Sequence, residues 1–329
     1  MLPAAFTAYR GEDKPLFEEI DLLIVDEAGQ ALAEVSAASF SLSRRALIVG
    51  DTDQIEPVWS VPEKIDLANL IQFGLLDEIE QYEDFWKKSG LLASSGNVMR
   101  VAQRQSKYHQ YEKLSRGLYL TEHRRCYNDI IKYCNELVYK GVLDPLRGDP
   151  KQAVPWGTMS FCEVFSPSQS MGGSRANSRE AAAIVRWLCD EQEAILGYAR
   201  RQDKKLIELS DAEVLKKSVG IITPFNKQAK VIEKLLQQQG IQGLTVGTVH
   251  KLQGDERLLV LFSSVYGENN KASGKFYDRG SNMLNVAVSR AKDSFIVFGH
   301  PDVFGVGADG SPSGMLRRGL KVLKANEFV

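Results

Sequence analysis

The chain has 329 residues, is 43% hydrophobic and 25% charged, and carries a formal net charge of −1. That length fits about two domains with packed cores, and the charge balance excludes coating nucleic acid by bulk charge while allowing a local basic groove. Cys126, Cys134, Cys162 and Cys189 show no CxxC pairing and no zinc-spaced histidine, so they read as reduced, mostly buried thiols of a cytoplasmic protein; no apolar run is long enough to span a membrane.

In chain order, residues 4–9 predict a strand and 11–14 a polar turn. Residues 22–25 (Leu-Leu-Ile-Val) predict a fully buried strand of the parallel type, ending at Asp26-Glu27. Open α/β sheets bind ligands beyond the carboxyl ends of their strands. Asp26 therefore has two readings: it caps a helix starting near Ala28, or it works with Glu27 on a metal ion and a water. Residues 31–40 have helical spacing, and 45–49 read as a second buried strand ended by Gly50-Asp51. Strand, helix, strand over this length is a βαβ unit with a parallel pair. Gln54 falls at the same edge, as the tip of a surface turn or as a contact to phosphate or water.

Residues 60–118 are rich in charged and aromatic residues, with helical spacing at Leu67, Leu70, Ile71, Leu75, Leu76 and Ile79. Arg100, Arg104, Lys107, Lys113 and Arg116 with Tyr108 and Tyr111 read as a solvated helix face or as a basic aromatic track for a strand. Ile130, Cys134, Leu137 and Val138 mark a helix face, with Gly141 as its cap and His123-Arg124-Arg125 in the turn before it. A loop over 142–158, a strand at 159–165 and a flexible Ser/Gly loop at 166–174 follow. Asn177-x-x-Glu180 has capping-box spacing and opens a long helix through about Arg200.

Residues 219–222 predict a strand ending in Thr223-Pro224. A helix over 225–239 turns Val231, Ile232, Leu235 and Leu236 inward, and a strand at 244–246 runs into Thr248. Hydroxyls at strand ends serve phosphates or caps equally well. A strand at 258–263, a loop over 265–282, a helix carrying Arg290 and a strand at 295–298 complete the pattern, before a basic tail helix with Arg317, Arg318, Lys321 and Lys324. Gly274-Lys275 is not a phosphate loop, because Phe276 stands where Ser or Thr belongs.

Asp26-Glu27-Ala28-Gly29-Gln30 followed by Gly50-Asp51-x-x-Gln54-x-x-Pro57 resembles motifs II and III of superfamily 1 helicases, in the branch of the nonsense-mediated-decay helicase and its bacterial relatives. His123-Arg124-Arg125 resembles motif IV, with His123 where relatives carry tyrosine and Arg125 where they carry methionine. Thr248-Val249-His250-Lys251-x-Gln253-Gly254-x-Glu256 resembles motif V, and Leu284-Asn285-Val286-Ala287-x-Ser289-Arg290-Ala291-Lys292 resembles motif VI. The resemblance implies an α/β fold of RecA-like parallel sheets flanked by helices. It divides the chain into an incomplete first domain (1–60), a helical insertion or linker (61–118) and a complete second domain (119–329).

It further implies ATP bound between the two domains. Asp26 would hold Mg²⁺, Glu27 position water and Gln54 couple phosphate state to the strand. Arg124 and Arg290 would reach the γ-phosphate, and Gln253, Gly254 and Glu256 would lie against the nucleotide. Thr223, Pro224, Thr248 and His250 would meet single-stranded DNA or RNA, with 5′ to 3′ movement. The family also needs G-x-x-x-x-G-K-[ST], which is absent from these 329 residues. The expectation is thus the C-terminal portion of a helicase whose N-terminal part supplies that loop, inactive as an ATPase by itself. The alternative is a stand-alone nucleic-acid-binding or scaffold protein without ATPase activity.

Overall fold

The structure, a computed structural model, describes residues 17–252, 254–307 and 309–323. The expected strand at 4–9, Gln253 and Lys324 lie outside the described residues. The chain divides into two compact units, Met1–Leu120 and Thr121–Val329.

In the first unit, β1 (Leu23–Val25), α1 (Ala33–Ser41) and β2 (Ala46–Ile48) form the expected βαβ unit. The strands are parallel, with Leu23 opposite Ala46 and Val25 opposite Ile48. The expected full burial is not observed: Ile24 is 61% and Leu47 51% exposed. An apolar run becomes buried on both faces when strands flank it and helices cover both faces, and among the described residues these two strands pair only with each other. After β2 come α2 (Glu63–Gln72), a helical stretch over 79–89 with a π turn at Tyr82–Trp86, and α3 (Val98–Gln105). Leu70, Tyr82 and Leu92 form a small core with Leu67, Leu76 and Trp86. Asn97 caps α3 by accepting from the Arg100 N–H at 2.8 Å. Residues 106–120 are irregular, so the basic aromatic segment lies on a helix only as far as Gln105.

The second unit opens with a short strand at Glu122–His123, where a turn was expected, paired in parallel with Asp144–Pro145; α4 (Asn128–Leu137) lies between them and β3 (Met159–Glu163) follows. Residues 166–174, expected as a flexible loop, instead form part of an antiparallel hairpin of β4 (Gln169–Met171) and β5 (Ser174–Ala176). Its turn is Gly172-Gly173 with φ of 53° and 78°, the left-handed pair that tight hairpins need. The expected single long helix is two, α5 (Ser178–Asp190) and α6 (Gln192–Gln202), broken at Glu191. Then follow α7 (Asp211–Ser218), β6 (Val219–Ile222), α8 (Asn226–Gln238), β7 (Thr245–Gly247) and β8 (Arg257–Ser263). The unit ends with α9 (Asn282–Ser289), β9 (Ala291–Gly299), α10 (Pro312–Gly319) and β10 (Lys321–Val322). The expected tail helix therefore stops at Gly319, and Lys321 joins an edge strand.

Six strands form one sheet in the order β10-β3-β9-β8-β6-β7, every pair parallel. Side-chain alternation splits the core in two. Leu259, Leu261, Ile296 and Phe298 pack with Ile184, Trp187 and Leu188 of α5. On the other face Phe262 meets Phe295 and Tyr277, with ring centroids 6.0 and 6.1 Å apart. Near-continuous apolar strands such as β8 are what a sheet covered on both faces requires. Cys126, Cys134 and Cys162 are buried, and among the described residues none of the four cysteines forms a disulfide. Among the described residues no helix is long and apolar enough to cross a membrane.

Candidate functional site

In the first unit the site lies at the carboxyl ends of β1 and β2. Asp26 does not cap the helical turn that follows; its Oδ1 accepts from the Glu27 N–H at 2.8 Å. Both carboxylates are exposed. Glu27 sits at φ 51°, ψ 37°, a left-handed conformation uncommon for glutamate, and Gln30 Nε2 donates to its Oε2 at 3.2 Å. The neighbouring strand-end loop is pressed against this one. A Cβ on Gly29 would lie 2.6 Å from the Asp51 carbonyl oxygen, and one on Gly50 2.8 Å from the Ala28 nitrogen. Asp51 turns its own loop by accepting from Asp53 N–H at 2.8 Å and from Gln54 Nε2 at 3.2 Å. Asp26, Glu27 and Gln54 thus share one edge.

In the second unit a cationic cluster gathers at the start of β8 and β9. Glu256 pairs with Arg125 at 2.7 Å and with Lys292 at 2.9 Å. Partial burial pushes Glu256 up, but Lys292 and Arg125 outweigh it and hold the carboxyl below its usual range. Arg290, expected within the helix, instead caps its C-terminus and is only 4% exposed; its carbonyl accepts from Arg257 N–H. Arg124 remains at the surface, paired with Glu122 at 2.9 Å. Of the two adjacent arginines, the structure brings Arg125 to Glu256. His123 accepts from the Cys126 N–H through Nε2. Burial, then Arg125 and Arg147, hold its pKa down to about 4, so the ring is neutral at pH 7.

The carboxyl ends of β6 and β7 carry the remaining expected residues. Thr223 N–H donates to the Gly247 carbonyl at 2.9 Å, which sets Thr223 and Thr248 on neighbouring strand ends. Thr223 is fully buried and Pro224 is buried, so neither offers its side chain to a strand; Thr248 is half-buried and His250 exposed. Gly254 has φ 74° and open space around its Cα, and Gln253 lies outside the described residues.

Asn177 caps α5 as its spacing predicts, accepting from Glu180 N–H at 3.0 Å. Glu180 does not complete the box. Its side chain is fully buried and accepts from Ser263 Oγ at 2.5 Å and Val265 N–H at 2.9 Å, with Ser264 Oγ at 3.4 Å. Burial is the main cause that lifts its pKa to about 8.

Residues 102–302 match the AAA domain family (AAA_12), which is well over half of the chain. The chain belongs to this family and is superfamily 1 helicase-like. It is 24% identical to human RNA helicase Mov10l1 over 85% of this chain and 22% of that protein. It is 25% identical to the chicken DNA replication ATP-dependent helicase/nuclease DNA2 over 90% of this chain and 25% of that protein. It is 26% identical to the ATP-dependent helicase MG140 of Mycoplasma genitalium over 84% of this chain and 23% of that protein. This helicase-like chain therefore spans about a quarter of the length of these relatives. Its second unit is the RecA-like parallel sheet that the motif order implies.

Proposed function

We propose that the chain is a portion of an ATP-dependent superfamily 1 helicase that couples ATP hydrolysis to movement along single-stranded DNA or RNA. The observation that supports this most is the close packing of the two loops carrying Asp26-Glu27 and Gln54, held by the Gly29 and Gly50 contacts. An acid pair beside an amide at a strand end is the arrangement that handles metal, water and phosphate in nucleoside triphosphatases.

Asp26 suits Mg²⁺: Oδ2 is not among its hydrogen bonds to described residues, and Mg²⁺ takes one or two carboxylates with phosphates and waters. A bound ion would neutralise charge developing on the phosphates. Glu27, fixed by its unusual backbone, orients the attacking water, and Gln54 senses phosphate occupancy. Arg124 and Arg290 stabilise charge on the transferring group, while Gln253, Gly254 and Glu256 lie against the nucleotide. The Arg125–Glu256–Lys292 cluster holds that surface cationic. Thr248 and His250 meet the strand, and Thr223 and Pro224 shape the turn beside them.

The test is strand-stimulated ATP hydrolysis by a longer version containing a G-x-x-x-x-G-K-[ST] loop, with the 329-residue chain alone as reference. Glu27→Gln and Arg290→Ala should each lower the catalytic rate far more than nucleotide affinity, Arg290→Ala by roughly 10³-fold. Unchanged rates in both variants reject the role assignment.

A further inference from the structure

A cationic aromatic surface stands beside the Thr223-Pro224 turn, outside every expected site residue. Phe225, half-exposed at the start of α8, packs against Tyr266 with centroids 5.6 Å apart and against Phe276 at 6.0 Å. Phe276 is 39% exposed and its N–H donates to the Tyr266 hydroxyl at 2.9 Å, which fixes its backbone. Three cations surround these rings. Arg175 of the hairpin lies 5.3 Å and Lys275 5.6 Å from the Tyr266 centroid, and Arg279 lies 5.5 Å from that of Phe276. Among the described residues none of the three has a carboxylate within ion-pair distance. The nearby Asp278 is turned to Ser313, whose N–H and hydroxyl it accepts at 2.8 and 2.7 Å.

The surface is built rather than loose. Hairpin and loop are tied by Ser168 and Asn269, which exchange two hydrogen bonds of 2.9 and 2.8 Å. The hairpin is tied to α8 by Asn177 N–H donating to Gln228 Oε1 at 2.7 Å. Under the rings, Val265 adopts φ 72°, a strained conformation for a β-branched residue, and the Glu180 carboxyl accepts its N–H. That geometry fixes the chain direction into Tyr266. Burial, with Arg175 close by, holds Lys275 below its usual range against the pull of Asp278.

Cations over the buried Tyr266 ring and beside the exposed Phe276 ring that packs in the same cluster match a flexible polyanion whose units stack. We propose that Phe276, with Arg175, Lys275 and Arg279, forms a further binding site for single-stranded nucleic acid, stacking a base on the Phe276 ring and holding flanking phosphates. This rests on the strand-binding reading above and extends the path from Thr248 and His250 past Phe225.

The test is fluorescence anisotropy of labelled oligothymidylate and oligouridylate of about twelve nucleotides, titrated with the 329-residue chain over a range of salt. Phe276→Ala should weaken binding about tenfold. Arg175→Glu with Arg279→Glu should weaken it more and reduce the salt slope by about 0.7 for each phosphate no longer neutralised. Arg175→Lys should retain most of the affinity, and unchanged thermal unfolding shows that the variants fold. If His250→Ala weakens binding while the charge reversals do not, this site is refuted and the strand-binding reading stands. If the charge reversals weaken binding and Phe276→Ala does not, the surface is a general anion patch and the stacking claim fails. If the wild-type chain binds neither oligonucleotide, the strand-binding reading fails and this site with it.

Discussion

Glu180, fully buried, and His123, half-buried, are titratable groups whose ionisation opposes folding in opposite pH ranges. The Glu180 carboxyl titrates near 8 in the fold and near 4.5 when unfolded. Between those values the native state holds a proton that the unfolded chain has lost. Its contribution is therefore complete below about 4.5 and is lost as pH rises through 8, by roughly 1.4 kcal/mol per pH unit within the window. Urea unfolding of wild type against Glu180→Gln should show wild type losing ground from pH 5 to 8; parallel curves would refute the buried acid. His123 behaves in reverse. Its pKa falls from 6.5 to about 4, so stability is present above 6.5 and is lost as pH falls toward 4. In the same assay His123→Gln should flatten that acid limb. Neither role was legible in the sequence. Asn177-x-x-Glu180 has capping-box spacing, yet the partners of Glu180 lie 83 to 85 residues away. The Arg124-Arg125 doublet likewise did not say which guanidinium meets Glu256.

Single contacts between elements decide whether the cationic cluster holds its shape. Arg147 pairs with the fully buried Asp293 of β9 at 2.5 Å, and Tyr198 of α6 donates to the same carboxylate at 2.8 Å. Arg147 also donates to the Arg125 carbonyl at 2.7 Å, so it ties the segment carrying that arginine to the sheet. Arg147→Ala would strand a buried carboxylate and should cost about 3–5 kcal/mol in chemical denaturation. A loss below about 1 kcal/mol would show that the pair is not buried as described. At the other site, Gly29→Ala puts a methyl 2.6 Å from a carbonyl oxygen and should displace the Asp26-Glu27 loop. Elements with strong apolar periodicity were legible: β1, α1, β2, β6, α8 and β8 stand within a residue or two of expectation. The β4–β5 hairpin was not, because Gln169 to Ala176 is small and polar and its signal is only the Gly172-Gly173 turn. The left-handed Glu27 and strained Val265 were equally silent, since neither is a residue type that announces positive φ.

The first unit carries Asp26, Glu27 and Gln54, and the larger second unit carries the Arg125–Glu256–Lys292 cluster. The motifs follow one another along the chain but the strands of the sheet do not: their spatial order β10-β3-β9-β8-β6-β7 comes from crossovers that the sequence pattern does not carry. Exposure of Ile24 and Leu47 did not follow from their apolar run, since burial depends on what lies beside a strand and not on the strand alone. The proposed role of Asp26 and Glu27 is to serve ATP hydrolysis driven by single-stranded nucleic acid. The most direct measurement is the steady-state rate of ATP hydrolysis, with and without oligonucleotide, by a longer version carrying the glycine-lysine loop. The expected result is a strand-stimulated rate that Glu27→Gln abolishes while nucleotide binding persists, and no such rate from the 329 residues alone. A stimulated rate that Glu27→Gln leaves intact, or full activity from the 329 residues, would contradict it.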